Sequence, residues 1–486
     1  MDQRAKIPVS FPVDDPTTSY WQDPPDEELA DYCSDLNGLP KKVETVIIGS
    51  GITGAAVGWG LLNRQDSEPE ENEENEKKEW KLIMLEARRT CSGATGRNGG
   101  HTKAASYRSF KHHVETVGLG EAKKIASLEL RNIQEVHRFA RDQGIRCEAW
   151  EGDTVDIVYD EGAWESSVEG VKMMRRVFGG LKEGEYKLHD AEEAKREFGV
   201  ADTTWEDKEE RVQGAVTYYA GSLSAYKFGV GVIRKCVERG MGLWTGVCVT
   251  ELKKDGEWWV VRTEKGEEVR ARRVVLATNG YTAALVPGKF QGVIVPLRGQ
   301  VTAQRPGEKM PKERLGTTYS FIYEGGYEYM VTRQKGVGAR YEGDVIMGGG
   351  LVRGEKSEGG MNEFGVVDDS GLNEGISSYL RETTVRYFGR ENWGEDDQEG
   401  RLRREWTGIM GFSPDGFPLV GEVPGEKGLW VSASFQGHGM VLCWMCGTAL
   451  IEMMEGKGGG GLNAWFPESF SISEERLKKR FQGRFS

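Results

Sequence analysis

Two features of this chain have the residue types and spacing to hold a nucleotide. Gly49-Ser50-Gly51-Ile52-Thr53-Gly54 is a G-x-G-x-x-G run. It follows an apolar, β-branched stretch at 43–48 (VETVII) and opens a helix-like stretch at 55–63. Bare backbone at a helix N-terminus can surround a pyrophosphate with N–H groups. The second feature is Glu86, which ends the strand-like run 80–86 (WKLIMLE). A carboxylate is expected about 20 residues after such a loop. Here it lies 32 residues on, and the acidic insertion at 64–79 accounts for the excess. A carboxylate in that place accepts from both ribose hydroxyls of an adenosine and repels a 2′-phosphate. The pair therefore predicts a site for FAD or NAD and not NADP.

A third feature follows Glu86. The decapeptide Ser92-Gly93-Ala94-Thr95-Gly96-Arg97-Asn98-Gly99-Gly100-His101 is almost stripped to backbone, with one cation, one amide and one imidazole. A flavin lies extended and needs a second surface without side chains, so this loop predicts contact with a ribityl chain and ring edge. Arg97 and Asn98 become candidate phosphate or ring contacts, and His101 a residue at the flavin edge. Ala277-Thr278-Asn279 ends a strand-like run in small residues. Gly437-His438-Gly439-Met440 opens an apolar helix whose first amides could meet developing negative charge. On the substrate side, Tyr323, Tyr327 and Tyr329 alternate along one stretch and predict one face of a strand. They are either a packed sheet face or an aromatic wall.

These residues need an α/β scaffold to bring them together. Runs 43–48, 80–86, 243–252, 258–263 and 274–277 read as strands, and 120–143, 224–239 and 373–390 as helices. The length of 486 residues suggests two or three domains. The expected division has a surface arm at 1–40 and a Rossmann-like dinucleotide domain at 41–146, 214–290 and 402–456. A mostly antiparallel substrate domain takes 147–213 and 291–401, and a tail takes 457–486.

Composition removes several classes. Net charge is −13 with no basic stripe, which argues against nucleic acid. The N-terminus has no apolar leader core, there is no N-x-Ser/Thr sequon, and seven scattered cysteines read as free thiols. An intracellular, cytoplasmic protein is expected. The uncharged run 428–451 contains Gly437, Gly439, Gly447, Gln436 and His438, so it reads as a strand, a turn and a buried helix and not as a membrane span. Cys443-x-x-Cys446 sits in that helix and reads as a core pair. His112-His113 lacks partners at zinc spacing, and no metal site is expected. No G-x-S-x-G occurs.

Taken in order, VIIGSGITG, LEARRTCSGATGRNGGH, VVLATNGY, VPLRGQ, WTGIMGFSPDGFPLVG and FQGHGM resemble a known family. It is that of the FAD-dependent amine and amino-acid oxidoreductases related to D-amino-acid oxidase, glycine oxidase and sarcosine oxidase. The branch nearest in look contains gamma-glutamylputrescine oxidase. The resemblance covers about 41–456. It implies FAD as cofactor, a hydride passing from the carbon beside an amine to flavin N5, and an imine that is then hydrolysed. Molecular oxygen is one implied electron acceptor.

The resemblance also implies roles. It extends the cofactor set to Ala87, Arg88, Val247 and Asp415. His438, Tyr323, Tyr329, Trp406 and Arg298 become the candidate catalytic set. Glycine-oxidase-like members carry an arginine where this chain has Met410, which disfavours a simple α-amino acid held in that way. Arg97, Arg298 or Arg333 is the alternative carboxylate partner. Gly408 stands where sarcosine-oxidase-like members tether the flavin through cysteine. A histidine tether is offered only by His101, four residues late, with Arg97 at the expected position. A same-fold enzyme acting on a C–O or C–C bond is the alternative function.

Overall fold

The computed structural model describes residues 2–65, 80–311, 315–334, 341–354, 360–456 and 461–483. Most of the acidic insertion and the glycine linker at 457–460 lie outside the described residues.

The first sheet has a parallel core. Its strands run Gly242–Trp244, Leu82–Leu85, Lys42–Ile48, Glu268–Leu276 and then Leu429–Ala433. Val46, Ile47, Ile83, Met84, Val274 and Val275 are fully buried, which is why these strands read as unbroken apolar runs. The helix Ile52–Gln65 leaves the carboxyl end of the first strand. It packs against Cys443–Met454, and Gly447 permits the approach, since a Cβ there would lie 2.8 Å from that of Ala56.

The second sheet is mostly antiparallel. Its order is Leu402–Phe412, Val295–Gln304, Val345–Gly348, Gly326–Thr332, Thr318–Tyr323, Trp150–Val158, Gly214–Ser222 and His101–Thr102, with Tyr186–Asp190 on the Gly214–Ser222 strand. Among the described residues only Thr318–Tyr323 and Trp150–Val158 pair parallel within it. The mixed α/β architecture expected from the sequence is the one observed.

Several local expectations change. The run 243–252 is two strands, Gly242–Trp244 and Val249–Asp255, at opposite edges of the first sheet. The crossing at 245–248 runs past the carboxyl ends of the parallel strands, where the Val247 amide bonds the Glu86 carbonyl at 2.9 Å. Strands Gly214–Ser222 and Leu402–Phe412 lie in the second sheet, so breaks at 213/214 and 401/402 do not follow the sheet boundaries. The tyrosine stretch is a hairpin, turned at Gly325 with φ +78°. That puts Tyr323 on a different strand from Tyr327 and Tyr329. A 3-10 turn, Gly439–Val441, precedes the helix Cys443–Met454, which therefore does not begin at His438.

The N-terminal arm is built into the body. Tyr20 and Trp21 are buried, and the Trp21 indole N–H donates to the Asn98 carbonyl at 2.7 Å. Its Pro/Asp-rich composition concealed these anchors.

Candidate active site

A cavity of about 380 Å³ starts at the carboxyl ends of the parallel strands and runs to the face of the second sheet. Open α/β sheets bind ligands at such ends. At the start, the first glycine loop is compact. A Cβ at Gly49 would meet the Ala277 carbonyl at 2.6 Å, and one at Gly54 would meet the Gly49 carbonyl at 2.1 Å. Those glycines let strand, loop and helix approach. The Ile52 amide, in the first turn of the helix, donates to Thr95 Oγ1 at 3.0 Å. Thr95 thus ties the decapeptide to the glycine loop.

Glu86 borders the cavity and is held from both sides. Its Oε2 accepts from the Ser50 amide at 3.0 Å and the Ser50 hydroxyl at 2.6 Å, and its Oε1 from the Arg88 amide at 3.0 Å. The carboxylate is oriented before any ligand arrives. Ala87, Val247, Ala277, Thr278 and Asn279 line the same end.

The decapeptide has a different logic from the one its composition suggests. Gly93 alone faces open space. A Cβ at Gly96 would meet the Cys91 carbonyl at 2.4 Å, one at Gly99 the Tyr329 ring at 2.1 Å, and one at Gly100 the Leu223 carbonyl at 2.3 Å. Three of the four glycines admit neighbouring protein. Asn98 braces the loop, since its Oδ1 accepts from the Gly100 amide at 2.7 Å and its Nδ2 donates to the Ala94 and Thr95 carbonyls. Arg97 is a clasp: it donates to the Ser92 and Thr407 carbonyls at 2.7 and 2.8 Å and pairs with Asp369 at 3.4 Å. Burial lowers its pKa to about 10. Arg88 pairs with the same Asp369 at 2.9 Å, so one buried carboxylate holds two guanidinium groups.

At the far end stand His101, Lys103, Arg108, Tyr327 and Tyr329. His101 Nε2 shares a hydrogen bond with Thr318 Oγ1 at 2.7 Å. Burial, then the charge of Lys103, pushes its pKa well below the usual histidine value. Lys103 pairs with buried Asp156, which also accepts from the Tyr107 and Tyr218 hydroxyls at 2.8 and 2.9 Å. Burial lowers the Lys103 pKa against the pull of Asp156. The Arg108 guanidinium sits 5.0 Å from the centroid of the Tyr327 ring. Among the described residues no hydrogen bond or ion pair engages it. At the side, His438 Nδ1 lies 3.0 Å from the Gln436 carbonyl, and Gly437, Gly439 and Met440 form the adjoining wall.

The chain matches the family described as FAD dependent oxidoreductase over residues 44–453. It belongs to that family. Glycine oxidase from Geobacillus kaustophilus has the same fold, with a TM-score of 0.66 at 20% identity over 90% of this chain and 99% of that one. L-amino acid deaminase from Proteus myxofaciens gives 0.64 at 15% identity, over 93% and 97%. Gamma-glutamylputrescine oxidoreductase of Escherichia coli is 20% identical over 380 residues, 77% of this chain and 78% of that protein. The probable oxidoreductase OrdL of Haemophilus influenzae is 23% identical over 229 residues, so the match spans about half of its length. The chain is thus an FAD-dependent oxidoreductase enzyme by family, and among its described residues no helix is long and apolar enough to cross a membrane.

For an FAD dependent oxidoreductase, several expected site residues lie elsewhere. Trp406 is fully buried, stacks 6.0 Å from Tyr20 and donates to the Arg97 carbonyl. Arg298 pairs with Glu363 at 2.6 Å and Asp415 with Arg476 at 2.9 Å. Tyr323 donates to buried Glu328 at 2.6 Å. None of these four borders the cavity, nor do Gly54, Ser92 and Gly100. Arg333 pairs with Glu148 at 2.6 Å. Sequence reasoning missed Lys103, Arg108 and the arm residues Phe11 and Pro12, all at the cavity. The available signal was two cations within eight residues of the glycine-rich loop.

Proposed function

We propose that this chain binds FAD along the cavity and oxidises a C–N bond of an amine or amino-acid derivative that also carries an acidic group. The observation behind this is the run of one cavity from Glu86 to Arg108. The residues fit the cofactor: an oriented carboxylate for a ribose, a glycine-lined helix start for a pyrophosphate, open backbone at Gly93, and the His438–Met440 turn for the far end. When bound, FAD supplies the two-electron acceptor.

The chain itself supplies binding, orientation and a dry environment. An amine gives up a hydride only when neutral. The burial that lowers the pKa of His101 and Lys103 acts equally on a substrate ammonium, favouring the free base. Tyr327 and Tyr329 provide aromatic walls beside it. Arg108 offers an uncommitted guanidinium for the acidic group, while Arg97, Arg298 and Arg333 are held by protein carboxylates. The departure at Met410 thus has a counterpart on another element. The test is a screen of amines, amino acids and the corresponding hydroxy acids, with oxygen or an artificial dye as acceptor, measuring aldehyde or keto product. Turnover confined to hydroxy acids contradicts the proposal.

A further inference from the structure

On the outer edge of the second sheet, away from the cavity, His189 is the penultimate residue of the strand Tyr186–Asp190, and the helix Ala191–Phe198 follows that strand at once. Glu193 and Glu197 stand one turn apart on that helix. The His189 side chain is only 2% exposed, and its Nδ1 is buried without a hydrogen-bond partner among the described residues. A buried polar atom left unpaired costs about 1–3 kcal/mol, so such an atom calls for a partner. Nδ1 lies beside the two carboxylates, 3.6 Å from Glu193 Oε2 and 3.4 Å from Glu197 Oε2. All three atoms fall within 4.8 Å of one another.

We infer that His189, Glu193 and Glu197 form a binding site for a divalent cation of the zinc class. With bonds of about 2.0–2.2 Å in a tetrahedron, neighbouring ligand atoms sit roughly 3.3–3.6 Å apart. The two nitrogen–oxygen distances already have that value. The second ring nitrogen is held by Thr217, with Nε2 to Oγ1 at 3.1 Å, which fixes the imidazole plane as an outer partner does for a metal-bound histidine. One imidazole and two half-exposed carboxylates leave a fourth position open to water. Asp190 adds negative charge beside the site, while Lys187 and Arg196 oppose it. A cation here clips the helix Ala191–Phe198 to the edge strand Tyr186–Asp190.

The experiment is calorimetric titration of the chelator-treated, flavin-loaded protein with Zn²⁺, alongside thermal melts. Wild type should bind one equivalent and melt higher with zinc. The Glu193→Gln/Glu197→Gln double variant changes only surface carboxylates and should fold. It should lose at least about tenfold in affinity, together with the zinc-dependent rise in melting temperature. Thr217→Val, which frees the ring, should weaken binding in the same direction. No stoichiometric binding by wild type, or equal affinity in the double variant, overturns the assignment. Either result would leave the three side chains as neighbours that hold no cation.

Discussion

The ring of Tyr329 lies on the Cα of Gly99, so closely that a Cβ there would stand 2.1 Å from ring atom Cε2. Gly348 takes the other side of the ring, with a would-be Cβ 2.3 Å from Cζ. The glycine-rich loop is therefore bare for two separate reasons. Gly99 admits a tyrosine of the cavity wall, whereas Gly93 opens onto the cavity.

Paired alanine substitutions separate the two. Gly99→Ala should destabilise the fold by ~1–3 kcal/mol through overpacking. Gly93→Ala should leave the apoprotein melting temperature unchanged and weaken FAD binding. Melts of the apoproteins and flavin titrations check both. Equal destabilisation by the two changes contradicts this division.

Asp369 holds Arg88 and Arg97 together and is fully buried. Asp369→Ala leaves two guanidinium groups buried without their carboxylate. The expected loss is about 3–5 kcal/mol, read by chemical denaturation. A loss under about 1 kcal/mol would show that the clasp is dispensable.

Arg108 is read as the anchor for the acidic group of the substrate. Arg108→Met should lower kcat/KM for an acidic amine by about 100-fold, mainly through KM. The same change should leave a matched neutral amine nearly unaffected. Arg108→Lys should recover part of the loss, because it restores the charge and not the fork. Equal effects on both substrates would remove Arg108 from substrate recognition.

Glu129 is a buried carboxyl whose only hydrogen-bond partner among the described residues is the Ser106 hydroxyl. Burial pushes its pKa up to about 7. The folded state therefore holds a proton that the unfolded state releases near pH 4.5. Its stabilising share is complete below about pH 4.5 and falls away as pH rises through about 7. Glu129→Gln removes that dependence. The melting temperature of the variant relative to wild type should rise between pH 5 and pH 8, and a constant difference contradicts the assignment.

What could be read from the chain followed the range of the interactions. The loop at Gly49–Gly54 and the carboxylate at Glu86 were legible because local backbone geometry and strand-end position define them. The strand Trp258–Thr263 was legible because it begins with four consecutive aromatic and β-branched residues. Trp406 and Arg298 misled because motif position says nothing about long-range partners, here the Arg97 carbonyl and Glu363. Lys103 and Arg108 stood close to the glycine-rich loop in sequence, but the cavity they border arises only when the second sheet closes over the decapeptide. The arm was misjudged on composition, although Tyr20 and Trp21 are the large apolar residues that a surface strap would not need.

The central claim is tested most directly by anaerobic titration of the flavin-loaded protein, followed by visible absorbance. A protein that takes up FAD and is bleached by an amine carrying an acidic group, and not by the corresponding hydroxy acid, bears out the account. A protein that stays colourless with FAD supplied, or that is bleached by the hydroxy acid alone, contradicts it.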